Sequence, residues 1–256
     1  MTNENGVQEL ISIIEGIAEG KYSDAIMEFT KPFYSETVRK IAEAMGMMMV
    51  KIEAREMQLE ELNAKIKYNT LRTVTTAANV LAARNMYTEG HVRRVSAYAG
   101  RLAQWLNLPE DEVERIGIAA MLHDIGKIGF SDRIFDNEDT ELTRELFDEV
   151  RKHPDRGVEI LRDLDFLGAA IDYIHCHHER LDGSGYPRGL RGEEIPLGAR
   201  IISVADCFDA ITTDRPYQKG KSREEAFAIL RHLSGKSLSP ELVDAFIAMV
   251  EADGMA

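Results

Sequence analysis

No stretch of the 256-residue chain keeps up the strict alternation of apolar and polar residues that a half-buried β-strand needs. The three-and-four spacing of amphipathic helices recurs instead, segment after segment. Leu10, Ile13, Ile14 and Ile17 open the series, and Gly20 stands where a helix would stop. After a break at Lys31-Pro32 the pattern runs from Glu36 to about Thr75 without a proline. Further helical patterns cover Ala77 to Arg84, Glu89 to Leu106, Asp111 to Leu122, Thr143 to His153, Gly157 to Leu164, Gly168 to His178, Ala199 to Thr212, Arg223 to Leu233 and Pro240 to Ala252. Thr88, Thr143 and Ser222 suit N-caps, and Pro109 and Pro240 sit where a first turn accepts proline. The β-branched run Ile201-Ile202-Ser203-Val204 is too isolated to build a sheet. The expected class is therefore all-α, with a helical N-terminal region over residues 1–74 and a helical domain over 75–256.

Within the N-terminal region Met45, Met48, Ile52, Arg55, Leu59, Leu62, Ile66, Asn69 and Thr73 keep a heptad register. That pattern predicts a coiled-coil-like linker through which two copies form a homodimer. A long amphipathic helix packed on its own domain would show the same spacing. Composition narrows the partners. Forty-four acidic residues against 31 basic ones give a net charge of −13, which argues against wrapping a nucleic acid polymer or lying on an anionic membrane. Two cysteines, Cys176 and Cys207, supply neither a disulfide framework nor a thiolate zinc site, so a cytoplasmic setting is expected. The N-terminus has no secretory signal pattern, and no apolar run approaches the ~20 residues of a membrane span.

The chemistry lies in the histidines and aspartates. An apolar helix face through Val113, Ile116 and Ala120 reaches His123 with Asp124 beside it, and Lys127 follows one turn later. A neighbouring imidazole and carboxylate can ligate cations, although a buried His–Asp pair is also a common structural outcome. His177 and His178 are adjacent, hence about 100° apart on a helix, which suits two metals better than one. Arg180-Leu181-Asp182-Gly183-Ser184-Gly185-Tyr186-Pro187 then forms a Gly-rich turn that lets backbone approach a ligand, or simply turns the chain. His91 falls in the first turn of a helix whose buried face runs through Val95, Ala99, Leu102 and Leu106. His153 precedes Pro154, which biases it to an extended conformation at a helix entrance. Asp206 lies in the apolar run IISVADCFDAI, where an unpaired carboxylate is costly to bury. Cys176 faces away from His177 on a helix and reads as packing.

With YTEGH upstream, the motifs HDIGK, HHERLDGSGYP and DCFDAITTDRPY, in that order, resemble the HD-GYP family, a branch of the HD superfamily of metal-dependent phosphohydrolases. The resemblance covers roughly residues 75–250. It implies an all-helical HD-type bundle and a bacterial phosphodiesterase acting on cyclic di-GMP or, in some members, cyclic GMP-AMP. It implies His91, His123, Asp124, His153, His177, His178 and Asp206 as metal ligands, with Asp124 bridging. Lys127 is implied at the scissile phosphate, and Tyr186, Gly185, Arg215 and Asp209 as substrate contacts. Family members with a third metal carry a Glu where this chain has Tyr87, so the resemblance implies two cations, iron or manganese. Nitrogen and oxygen ligands without thiolate also fit nickel or zinc. Residues 1–50 faintly resemble the helix-connector-helix HAMP modules of bacterial signalling proteins, with IAEGKYSDAI as the connector start.

Two cations about 3.5–4 Å apart can activate water and steady an in-line displacement at phosphorus, giving pGpG and then GMP. Two other readings use the same residues: a phosphohydrolase acting on another nucleotide, and a non-catalytic cyclic-dinucleotide sensor. The segment Glu179 to Lys221 holds seven basic and seven acidic residues, so an acidic chain still offers a locally neutral cleft to a small dianion.

Overall fold

The computed structural model describes residues 2–19, 21, 24–82, 90–130, 143–214 and 219–252. They are helical, with no strand among them; the β-type pairing consists of the isolated bridges Asp182–Arg191 and Ser234–Leu238. The chain divides into two compact units, Met1–Thr70 and Leu71–Ala256.

In the first unit α1 (Thr2–Ala18), a 3-10 helix (Asp24–Thr30) and the start of α2 (Glu36–Ala82) gather Leu10, Ile17, Ile26, Phe29, Val38, Ala42 and Met49 into one small core. α1 begins at Thr2, ahead of the apolar series that opens at Leu10. α2 continues from the Glu36 to Thr75 pattern into the next one as a single helix as far as Ala82, and the expected boundary at 74/75 falls inside it. Further along α2, Leu59, Leu62 and Ile66 of the heptad series are each more than half exposed. Among the described residues no helix is long and apolar enough to cross a membrane.

The second unit is organised around α8 (Leu197–Thr212), which carries Ile201, Ile202, Val204 and Ala205 at essentially zero exposure. That burial explains why the β-branched run is helical: each large aliphatic side chain gains about 1.5–3 kcal/mol from leaving water, far more than its small deficit in helix propensity. Against α8 pack α3 (His91–Trp105), α4 (Glu110–Leu122), α7 (Ala170–Cys176), α9 (Arg223–Leu233) and α10 (Pro240–Ala252). Cys176 is fully buried in this core, as its helical phase predicts. Ser222 closes a capping box with Glu225, and the Thr143 hydroxyl accepts from the Leu146 amide. Thr88 lies outside the described residues.

The segment Thr143 to Leu164 forms two helices as expected, α5 (Arg144–Val150) and α6 (His153–Leu161), but the break between them falls earlier, and His153 is the first residue of α6 rather than an extended residue at its entrance. Proline disfavours the α conformation in the residue before it, but Pro154 sits in the first turn, where its missing N–H has no helical partner to lose. His153 is completely buried, and packing overrides the local bias.

Candidate metal centre

Five helical segments deliver the seven expected ligands to one place. His91 starts α3 directly after Gly90, whose φ of +87° few other residues would tolerate. His123 ends α4, and Asp124 leads into a 3-10 turn (Ile125–Gly129) that carries Lys127. His153 opens α6, His177 and His178 follow the last turn of α7, and Asp206 projects from α8. The ligand atoms of Asp124, His153, His177 and His178 all lie within 4.8 Å of one another, and so do those of His91, His123 and Asp206. Adjacent His177 and His178 face the same group, so their helical phase difference does not split them between two sets as the sequence suggested.

Asp124 joins the two groups. Its Oδ1 is 3.6 Å from His153 Nε2, while Oδ2 is 3.4 Å from His123 Nε2 and 3.8 Å from His91 Nε2. Lys127 Nζ donates to Oδ2 at 2.6 Å. Oδ1 is buried without a hydrogen-bond partner. An ionised oxygen left so is costly unless a cation completes it.

The imidazoles point to the same conclusion. His123, His153 and His177 each donate from Nδ1 to the carbonyl three residues earlier, at 2.7, 2.8 and 2.6 Å, on Ala120, Val150 and Ile174. In the neutral rings of His153 and His177 that fixes the tautomer and leaves Nε2 as a bare lone pair. His153 Nε2 and His177 Nε2 consequently face each other at 3.3 Å with no proton between them, an arrangement that a shared cation relieves. Burial drives His153 down to about 3 and His178 to about 4, and holds His177 well below its ordinary value, so these rings are neutral and ready to ligate. His123 differs: burial opposes its charging, but Asp124 and Asp206 outweigh it and lift it to about 9. Asp124, which burial alone would raise, is held well below the usual carboxylate range by Lys127 and His123. The residues present fit divalent cations with nitrogen and oxygen ligands.

Asp209, expected at the substrate, sits elsewhere. It is 1% exposed; its Oδ2 accepts from His91 Nδ1 at 2.7 Å and from Arg94 Nη2 at 3.1 Å, and its Oδ1 accepts from Arg94 Nε. Arg94 Nη2 also donates to Thr213 Oγ1 at 3.0 Å. With its oxygens committed, Asp209 orients His91 so that Nε2 faces the centre. Burial would raise its carboxyl, but the bonds from His91 and Arg94 hold it low. We expect Asp209→Asn to weaken metal affinity about 10- to 100-fold, read by titration of the metal-depleted protein.

Beside the metal ligands a cavity of about 640 Å³ opens, lined by His177, His178 and Asp206 together with Arg180, Gly185 and Tyr186. The loop that builds it hangs on Glu179, a 3%-exposed carboxylate that accepts from the backbone amides of Arg188, Gly189 and Leu190 at 2.6, 3.1 and 3.0 Å. Gly185 presses against the backbone of Glu179 and Arg180 so closely that a Cβ there would lie 2.4 Å from the Arg180 amide. Tyr186 stands with its ring centroid 4.9 Å from that of His178, its phenol pushed up by burial and by the Asp124 and Asp206 charges.

A family model described as "HD domain" matches residues 75–242. The chain belongs to the HD-domain family. Its HDIGK and HHERLDGSGYP motifs place it in the HD-GYP branch. It is 45% identical over 168 residues to a Thermotoga maritima protein named cyclic di-GMP phosphodiesterase, a match covering 65% of this chain and 45% of that one. It is 34% identical over 199 residues to the Vibrio cholerae 3'3'-cGAMP-specific phosphodiesterase 3, covering 77% of this chain and 43% of the relative. The chain thus spans less than half the length of either relative. A solved V. cholerae cyclic GMP-AMP phosphodiesterase structure superposes with a TM-score of 0.54 at 25% identity, over 70% of this chain and 49% of that one.

The HD-GYP domain brings together the seven candidate ligands, Lys127, Gly185 and Tyr186. Arg215 and Tyr87 lie outside the described residues. The sequence pointed to no role for Glu179 or Arg94, and it put Asp209 at the substrate rather than behind His91. Glu179 was within reach of it, since a carboxylate directly after His177 and His178 on a buried segment needs donors of its own.

Proposed function

We propose that the chain is a metal-dependent phosphodiesterase that opens cyclic di-GMP to linear pGpG, with further cleavage to GMP, using two divalent cations. The observation carrying this reading is Asp124, whose two oxygens serve two separate ligand groups. Iron or manganese suits the nitrogen and oxygen ligands, and nickel or zinc also fits. When bound, the cations would supply Lewis-acid charge and an activated water. The chain does the rest. The seven side chains fix both ligand sets, and Asp209 locks His91. Lys127, whose side chain is 38% exposed beside Asp124, faces the phosphoryl group and can protonate the departing 3'-oxygen from Nζ. The water oxygen bonds to phosphorus as the P–O3' bond breaks, and the proton ends on O3'. Gly185 and Tyr186 border the substrate, and the non-scissile phosphate falls to Arg215.

Two relatives named for cyclic di-GMP and cyclic GMP-AMP support the substrate class, since both nucleotides offer a 3'–5' diester and a guanine. The assay compares both cyclic dinucleotides with mononucleotides on the metal-loaded chain. Ring opening is expected, and turnover of mononucleotides alone would favour the other hydrolase. Binding without turnover would favour the sensor. The two thiols suit a cytoplasmic setting.

We also propose that the exposed Leu59, Leu62 and Ile66 meet a second copy in a coiled coil. Light scattering should report a dimer for the chain and a monomer for the Leu59→Glu, Ile66→Glu double variant; an unchanged dimer would locate the interface elsewhere.

A further inference from the structure

Arg151 takes no part in the mechanism above, yet it stands in the wall of the same cavity. It is the C-cap of α5, two residues before His153, so the turn that delivers a metal ligand also delivers this guanidinium. Its guanidinium carbon lies 5.1 Å from the centroid of the Tyr186 ring and 5.9 Å from that of Phe147. Tyr186 in turn leans on His178, so Arg151, Tyr186 and His178 form a stack from the cavity lip to the metal ligands. Among the described residues no carboxylate is bonded to Arg151. Arg180, in the opposite situation, spends its Nε and Nη2 on Ser237 Oγ. Ring faces hold a guanidinium in place through its π-face and leave its N–H edge free.

We propose that Arg151 reads a guanine base of the substrate, its fork donating to O6 and N7. The inference rests on the cyclic-dinucleotide reading and deepens it. A compact cyclic dinucleotide with its scissile phosphate at the ligand groups projects its bases away from them, toward the part of the lining that holds half-exposed Phe147 and part-buried Arg151. The same lining includes Phe147, Tyr186, Leu233 and Leu238, which suit a flat base better than a hydrated phosphate. Guanine presents two acceptors on that edge, matching two parallel donors, whereas adenine presents one acceptor and one donor. A guanine contact of this kind serves cyclic di-GMP and cyclic GMP-AMP alike.

The test measures binding of hydrolysis-resistant phosphorothioate analogues of cyclic di-GMP and cyclic di-AMP to the metal-loaded full chain. A bidentate guanine contact carries about 1–3 kcal/mol of discrimination, so Arg151→Ala should weaken the guanine analogue about 10- to 100-fold and the adenine analogue by less than about 3-fold. Arg151→Lys should resemble Ala, because an ammonium keeps the charge and loses the fork. Metal content should stay at the wild-type level in both variants. Equal loss for both analogues would make Arg151 a phosphate contact and overturn the proposal; so would unchanged affinity, or loss of metal. Wild-type protein that prefers guanine but does not turn over cyclic di-GMP would sink the catalytic reading and leave Arg151 standing. Turnover with an unaltered Arg151→Ala affinity would do the reverse, and failure of the wild type to bind either analogue would overturn both.

Discussion

If the proposed two-metal phosphodiesterase reading holds, Asp124→Ala is expected to lower cyclic di-GMP turnover by at least about 1,000-fold, because it withdraws one ligand from each proposed cation site at once. No neighbour can replace it. The other six candidate ligands already converge on the two groups, and Lys127 would be left beside the vacated position without its ion pair. The loss should be specific to the metals and leave the fold intact. In metal-depleted protein the carboxylate has one partnerless oxygen, so its removal costs little of the packing that holds α4 against α3 and α8. Bound metal should raise the melting temperature of the wild type through mass action, and should leave that of Asp124→Ala where it was. A variant that keeps two cations and near-normal turnover would refute the bridging assignment.

Gly126→Ala should be the most destabilising single methyl in the domain. A Cβ at Gly126 would lie 1.9 Å from the His153 carbonyl oxygen and 2.7 Å from the Gly157 amide nitrogen. Both are backbone atoms and cannot swing aside. The 3-10 turn carrying Lys127 would have to part from α6, which carries His153. Overpacking usually costs about 1–3 kcal/mol, and an unyielding backbone at both contacts puts this substitution at about 3 kcal/mol or more. Urea unfolding of chelator-treated protein measures it. Gly100→Ala in α3 is the control: nothing lies within 4 Å of the added methyl, so the same change should stabilise by about 0.5–1 kcal/mol. Equal midpoints for the two variants would show that the close approach at Gly126 is not what joins these elements.

The contrast between these glycines marks where sequence reasoning stops. Helical periodicity and the spacing of His and Asp belong to the local chain, so the helices and the seven candidate ligands were legible. Contacts made across the fold were not. Asp209 sits one helical turn after Asp206 and therefore faces the same centre, but its pairing with His91, 118 residues earlier, depends on how α3 packs on α8. Glu179 is held by amides nine to eleven residues later in a loop with no periodic signal. His153 was misjudged because a local steric preference was weighed without the burial that defeats it. Arg151 has no motif at all, and its placement against Tyr186 is visible only once α5 and the Gly-rich loop share a cavity.

The most direct test of the two-metal reading combines metal analysis of the chain purified without oxygen with cyclic di-GMP turnover by the same sample. Two divalent cations per chain and the appearance of linear pGpG are predicted, with both lost on chelation and restored by added metal. A fully loaded protein that leaves cyclic di-GMP intact would contradict it.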